Sequence, residues 1–311
     1  MTSPRRRGWL LLLVLALAAW MLNASRMGRR VQGCPDGCSA TGSRRDGPLR
    51  VMSLNVLHGF RRFEHLSARV DLIADEIRRL DADIVCLQEV PWTWRLGDAA
   101  EVLARSTGLN HLYLRANGNR WAILFEEGVA ILSRYPLREV AFAELSPRAE
   151  FFEHRVVLKA TVATDWGDVR VFVTHLTDGA PEINLAQADS LVAFVAEAGE
   201  GTAVTAGDFN AREQSPQMQA ISEQWVDTFR TANPDDPGFT CCIADLTLGP
   251  QEPLEKRIDY LFLVSEAART NRVVRSQLVL DHPFPVADRW QWASDHVGLL
   301  TTLAIERRSD G

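Results

Sequence analysis

Six short segments of this chain set polar, chemically competent side chains at or just past apolar runs. They hold Asn55 in "LRVMSLNVLHG", Glu89 in "DIVCLQEVP", His175 in "VRVFVTHLTDG", Asp208 and Asn210 in "AVTAGDFNARE", Asp259 in "RIDYLFLV", and Asp295-His296 in "WASDHVGLL". Each apolar run is β-branched and reads as a buried strand. Carboxylates, amides and imidazoles at the mouths of several strands are what a hard metal ion and a phosphate oxygen need.

Each residue carries a plainer reading beside the catalytic one. Glu89 has no cation near it in sequence, so its carboxylate needs solvent, a salt bridge or a metal such as Mg²⁺. Asn55 can donate an amide N–H to phosphate, orient a carboxylate, or satisfy its own turn. Asp208 and Asn210, two apart on an extended segment, project to one side. One suits orienting or deprotonating a water and the other donating to phosphate oxygens, although an Asx turn has the same pattern. A carboxylate on one nitrogen of a His fixes the tautomer and raises the basicity of the ring. Asp259 could serve His296 in this way or pair with Arg257.

The elements that must position these groups follow from periodicity. "LRVMSLNVL" reads as a strand, followed by a helix with Val70, Ile73, Ile77 and Leu80 on one face and Ser67 as N-cap. "DIVCLQEV" is a second strand, with a helix over Ala99–Ser106 after it. Strands are expected at His111–Leu114, Gly128–Ser133, Arg155–Thr164 and Val169–Thr174, with "DWGD" as a hairpin turn between the last two. A helix over Pro181–Ala198, the strand "TAVTAGDF", a short helix after Pro216 and an irregular stretch 230–257 come next, then strands "RIDYLFLV", "VVRSQLVL" and "VGLLTTLAI". Helix–strand units mixed with strand runs predict two sheets face to face with helices outside.

Ordered in this way, the segments resemble the endonuclease/exonuclease/phosphatase superfamily, the deoxyribonuclease I-like fold, over residues 49–306. No one motif is specific; the series is. The resemblance implies a four-layer α/β/β/α sandwich of two packed mixed sheets with the active site at one edge. It implies a metal-ligand role for Glu89, with Asp295 facing a metal, and places His296 near the scissile phosphate with Asp259 holding its ring. It implies that His175 is a general acid or phosphate ligand braced by a Glu before an earlier strand, and Glu127 in "FEEGVAILSR" occupies a similar position. A Glu127–His175 pair is therefore expected. Arg155 is a candidate phosphate contact or an exposed strand Arg. His58 and the Trp92/Trp94 pair read as loop packing and rim contacts.

The reaction expected is hydrolysis of a phosphodiester or phosphomonoester by in-line attack of water, with Mg²⁺ or Mn²⁺ as cofactor. Two substrate classes compete, a phospholipid head group as in sphingomyelinases and nucleic acid as in an exported deoxyribonuclease-like endonuclease. A catalytically dead binding module is a third possibility. The chain is 311 residues long with 46% apolar and 24% charged residues, enough for one large α/β core. Net charge is −6, but the first 30 residues hold six Arg and no acid, leaving about −12 on the rest. An acidic body with only Lys159 and Lys256 does not favour broad nucleic-acid binding.

Residues 1–24 read as a signal peptide or uncleaved signal anchor: Arg5–Arg7 precedes an uncharged stretch, Trp9 to Leu22, shorter than the roughly 20 residues of a full span. Residues 25–48 read as a flexible tether and 307–311 as a tail. This organisation predicts an extracytoplasmic protein, secreted, periplasmic or membrane-anchored, and a monomer. In an exported protein Cys34, Cys38, Cys241 and Cys242 can be oxidised. "CPDGC" has zinc-like spacing on one side only and no answering pair, so a zinc site is rejected.

Overall fold

The computed structural model describes residues 4–24, 26–34, 38–39, 47–249, 254–264, 272–286 and 289–305. The expected tail 307–311 and residues 25, 35–37 and 40–46 of the tether lie outside the described residues. In chain order the elements are α1 Pro4–Ala24, β1 Gln32–Gly33, β2 Leu49–Asn55, α2 Leu66–Leu80, β3 Ile84–Thr93, β4 Gly97–Asp98, α3 Ala99–Thr107, β5 Asn110–Asn119, β6 Phe125–Ser133, β7 Leu137–Glu144 and β8 Val156–Thr164. There follow β9 Gly167–His175, α4 Pro181–Glu197, β10 Ala203–Asp208, α5 Pro216–Gln224, β11 Trp225–Asp227, α6 Thr228–Ala232, β12 Asp259–Val264, β13 Arg272–Val279, β14 Phe284–Val286, β15 Arg289–Gln291 and β16 Gly298–Ala304.

Two large mixed sheets carry the fold. One runs β1-β5-β6-β3-β2-β16-β13 with β4 paired to β3, and the other runs β11-β12-β10-β9-β8-β7. Strand alternation explains the layering. On β2, Leu49 and Val51 point between the sheets, into a cluster with Leu158, Val171 and Val204. Met52 and Leu54 point the other way, against Val70, Ile73 and Ile77 of α2. On the second sheet Phe172 and Phe262 pack outward with Leu191 of α4 and Ile221 of α5. The four layers α/β/β/α thus follow from which side of each pleat is apolar.

Several local expectations change. The N-cap of α2 is His65 in a left-handed conformation, with Ser67 inside the first turn, because no Ser67 side-chain bond closes the helix end. Strand β5 extends to Asn119, and β7 is a strand beyond those expected: its partly exposed, partly charged pattern lacks the apolar run of a central strand, as suits a sheet edge. The "DWGD" turn is as expected, with Thr164 opposite Gly167 and Gly167 at φ 117°. Among the described residues no helix is long and apolar enough to cross a membrane.

Candidate active site

Three neighbouring strands of the second sheet end or begin at one level. Asp208, the last residue of β10, sits opposite His175 on β9 and Asp259 on β12. On the first sheet Asn55 closes β2 beside Gln88 of β3, with Glu89 next in line. The loop entering β16 brings Asp295 and His296 to the same place. Parallel pairing of β2 with β3 and of β9 with β10 puts their C-terminal ends together. That is where polar groups can meet without breaking a core.

Asn55 spans the two sheets. Its Nδ2 donates to Glu89 Oε1 at 3.2 Å and to Asp208 Oδ2 at 3.0 Å, while its Oδ1 accepts from Leu57 N at 3.0 Å. One buried amide therefore separates two carboxylates and binds both. Glu89 has φ 52° and Asn210 φ 49°, left-handed backbone that costs a non-glycine residue energy and recurs at functional sites. Burial alone would raise the Glu89 pKa; His58 beside it and the Asn55 amide oppose this and hold the carboxyl below its usual range.

His296 Nδ1 lies 2.9 Å from Asp259 Oδ2, and its Nε2 lies 3.7 Å from Asp208 Oδ2. Burial opposes the charged ring, but Asp259 and Asp208 prevail and hold His296 protonated well above the usual His range. Asp208 is pushed up to about 7 by burial first and the Asp259 carboxylate second. The two groups share a proton network rather than two independent charges. Asp259 is thus committed to His296, while Arg257 turns to Asp227 and Glu213.

Near His175 the structure departs from expectation. Arg155 Nη1 lies 3.0 Å from His175 Nδ1, and a guanidinium only donates, so Nδ1 accepts. Nε2 faces the Asn210 amide at 3.0 Å and Asp208 Oδ2 at 3.6 Å. Burial and the Arg155 charge keep the His175 pKa well below the usual value. The expected Glu127–His175 pair is replaced: Glu127 accepts from Asn117, whose amide also holds the His154 carbonyl. Arg155 takes the bracing position and is in turn held by Glu153 at 2.7 Å. Two donors, Arg155 and Asn210, thus face the two ring nitrogens, and the ring is kept neutral.

Asp295 receives one side-chain hydrogen bond, from Ser294 Oγ at 3.3 Å, and its pKa is raised by burial and then by the facing Glu89. Two half-buried carboxylates that repel each other, with oxygen still to spare, fit a hard divalent cation. Ligand atoms of Asp208, Asp259 and His296 form a second set, all within 4.8 Å of one another, and Asp259 Oδ1 there is buried with no hydrogen-bond partner among the described residues. The His296–Asp259 bond makes this set better suited to holding protons.

Residues with no sequence signal complete the frame. Arg69 is fully buried, and its guanidinium donates to the carbonyls of Val56, Leu57, Glu64 and Ala293, tying the loop after Asn55 to the segment before Asp295. Burial lowers its pKa to about 10. Thr240 Oγ1 accepts from the backbone N–H of Ile258 and Asp259, fixing the start of β12. Cys241 and Cys242 form a disulfide beside His296, and Cys34 pairs with Cys38. His58, expected as loop packing, reaches Glu89 Oε2 at 3.4 Å. A cleft of about 540 Å³ opens next to it, lined by Leu57, Gly59, Phe60, Arg61, Arg62 and Leu246.

Solved structures share this architecture. An endonuclease/exonuclease/phosphatase family protein from Bacteroides thetaiotaomicron is 17% identical with TM-score 0.68, covering 84% of this chain and 99% of its own. A mannosyl-6-phosphatase of Bacteroides thetaiotaomicron VPI-5482 is 18% identical with TM-score 0.66, covering 83% and 100%. Truncated TDP2 of Caenorhabditis elegans is 18% identical with TM-score 0.62, covering 82% and 97%. At these identities the likeness speaks for the fold. The search of curated proteins gives no match. A profile of the Endonuclease/Exonuclease/phosphatase family matches residues 52–296, and the chain belongs to that family.

Proposed function

We propose that this protein is a divalent-metal-dependent phosphodiesterase that hydrolyses its substrate by in-line attack of water. The observation that carries the reading is the Asn55 amide bridging Glu89 and Asp208, which sets a metal-type carboxylate beside a proton-handling Asp–His–Asp cluster. Glu89 and Asp295 would hold Mg²⁺, which when bound supplies positive charge to the phosphate oxygens. Asp208, with a pKa about 7, orients the attacking water and takes its proton as the pH allows. His296, kept charged by Asp259, donates to the phosphate or to the departing oxygen. His175, positioned by Arg155, and the amide of Asn210 contact the remaining oxygens.

Support for an extracytoplasmic site comes from the apolar segment of α1 and from two disulfides, which persist in oxidising compartments. Between the two substrate classes, the acidic body and the apolar first helix favour a phospholipid head group over nucleic acid. The test is phosphate or head-group release from sphingomyelin, DNA, RNA and inositol phosphates over a salt series. Nucleic-acid cleavage falls steeply with salt and head-group cleavage does not. Cleavage of DNA alone, lost between 50 and 200 mM salt, would reverse the choice of substrate.

A further inference from the structure

We infer that the apolar turns around the mouth of the site dock the protein onto a lipid bilayer, so that the site faces the head-group layer. This deepens the phosphodiesterase reading and rests on it only for the choice of substrate.

The geometry comes from strands that overrun the catalytic level. Glu89 lies four residues before the end of β3, and Thr93 at that end pairs with Phe125 at the start of β6. At roughly 3.3 Å per residue, the two hairpins at this end project about 13 Å past Glu89. Their tips are apolar. The turn between β5 and β6 carries Trp121, 86% exposed, and Ile123, 51% exposed; the turn between β3 and β4 carries Trp94, 63% exposed. A third turn, closed by mutual hydrogen bonds between Glu150 and Glu153, presents Phe151 and Phe152 to solvent. That turn is anchored at the site, because Glu153 holds Arg155 and the adjacent His154 backbone is tied to Asn117 of β5. Phe60, also exposed, stacks on Phe125 at 4.4 Å, beside His58 and Glu89.

Large apolar side chains at the tips of tight turns gain nothing from the fold, since the core lies elsewhere. Their chemistry matches a bilayer interface: Trp and Phe at the ends of separate projections, with exposed Arg61, Arg62 and Arg95 among them. A protein groove would want one contiguous patch, and single-stranded nucleic acid has no use for the aliphatic Ile123. The first helix points to the same occupant. Leu11, Leu12, Leu13 and Val14 are all more than half exposed on successive positions, so this stretch of α1 is unpacked among the described residues. The chain after α1 joins the body where Gly28 N donates to Arg115 O of β5, the strand that ends in the Trp121 turn. The segment after the apolar first helix and the Trp121 turn thus meet on one strand.

The test uses the full chain with a polarity-sensitive fluorophore at Ile123→Cys, and a control probe at Ser222→Cys. Labelling is selective because four cysteines are in disulfides and Cys86 is buried. Ser222 is exposed on α5, which leads to Trp225, paired with Val264 at the end of β12 away from Asp259. On vesicles of phosphatidylcholine with a quarter phosphatidylserine, the Ile123 probe should shift to the blue and be quenched by spin-labelled lipid, and the Ser222 probe should not. The variant Trp121→Ser/Phe151→Ser/Phe152→Ser should lower hydrolysis of vesicle-borne phosphodiester about tenfold or more. It should leave hydrolysis of bis(p-nitrophenyl) phosphate within about twofold. A water-exposed Ile123 probe on vesicles that hold the protein through α1 overturns the inference, as does a blue shift with single-stranded DNA and none with vesicles. Loss of all hydrolysis with an intact probe shift would reject the phosphodiesterase reading and leave the docking surface standing.

Discussion

Asn55 on one sheet donates a 3.0 Å hydrogen bond to Asp208 on the other, and with its second amide hydrogen holds Glu89 at 3.2 Å. This pairing fixes the gap between the sheets where the phosphate must lie. Without it, the Glu89 and Asp208 carboxylates from opposite sheets would face each other with no donor between them. Asn55→Ala is expected to lower kcat by about a hundredfold or more, as does removal of a single preorganised donor elsewhere. Steady-state kinetics on a soluble phosphodiester checks this; a fall of less than about threefold would remove Asn55 from the site.

Asp259→Asn keeps the shape but takes away the charge that holds His296. Activity should fall by about 10²- to 10⁴-fold, as when the orienting carboxylate of a catalytic His is replaced by its amide. Nuclear magnetic resonance of the ring provides a second readout, with the His296 titration moving down toward the ordinary His range. An unchanged His296 titration would show that Asp259 does not govern the ring.

The Asp208 pKa of about 7 makes stability depend on pH. An unfolded Asp has a pKa near 3.9, so between about pH 4 and pH 7 the folded protein binds more protons at this group than the unfolded chain. The contribution is full below pH 4 and lost as the pH rises through 7. In metal-free protein, Asp208→Asn should therefore gain stability relative to wild type as the pH is raised from 4 to 8. Thermal melts in chelator across that range measure it. A constant difference between the two proteins would mean that Asp208 titrates normally.

Arg69 is expected to matter for both fold and activity. Arg69→Met leaves four backbone carbonyls without their donor and should cost about 2–4 kcal/mol. Arg69→Lys should not rescue it, because an ammonium lacks the planar five-donor fork. Denaturant titration of the two variants decides the point; wild-type stability in Arg69→Lys would contradict the proposed role.

The residues legible in the sequence were those that end a strong apolar run. Asn55, His175 and Asp208 stand at the last position of a buried strand, and Asp259 at the first, so pattern alone brings them to one sheet edge. The partner of a side chain is harder to read. Glu127 and Arg155 both lie near His175, and only the fold decides that the guanidinium meets the ring while the Glu turns to Asn117. Arg69 sits on the apolar face of α2, where nothing in the sequence announces that its charge is met by carbonyls from two distant loops. Of the exposed tips, Trp94 is legible as a rim contact, whereas the direction of Trp121 and Phe151 is set only by the strands and turns that carry them.

Divalent-metal binding is the most direct test of the central claim. Isothermal titration of Mg²⁺ and Mn²⁺ into chelator-treated protein, with phosphodiester hydrolysis followed in parallel, compares wild type with Glu89→Gln and Asp295→Asn. Wild type should be inactive after chelation, recover with metal and bind it with measurable heat, while Glu89→Gln should do neither. Full hydrolysis by chelated wild-type protein, or unchanged metal affinity in Glu89→Gln, would contradict the assignment of Glu89 as the carboxylate that brings the metal to the phosphate.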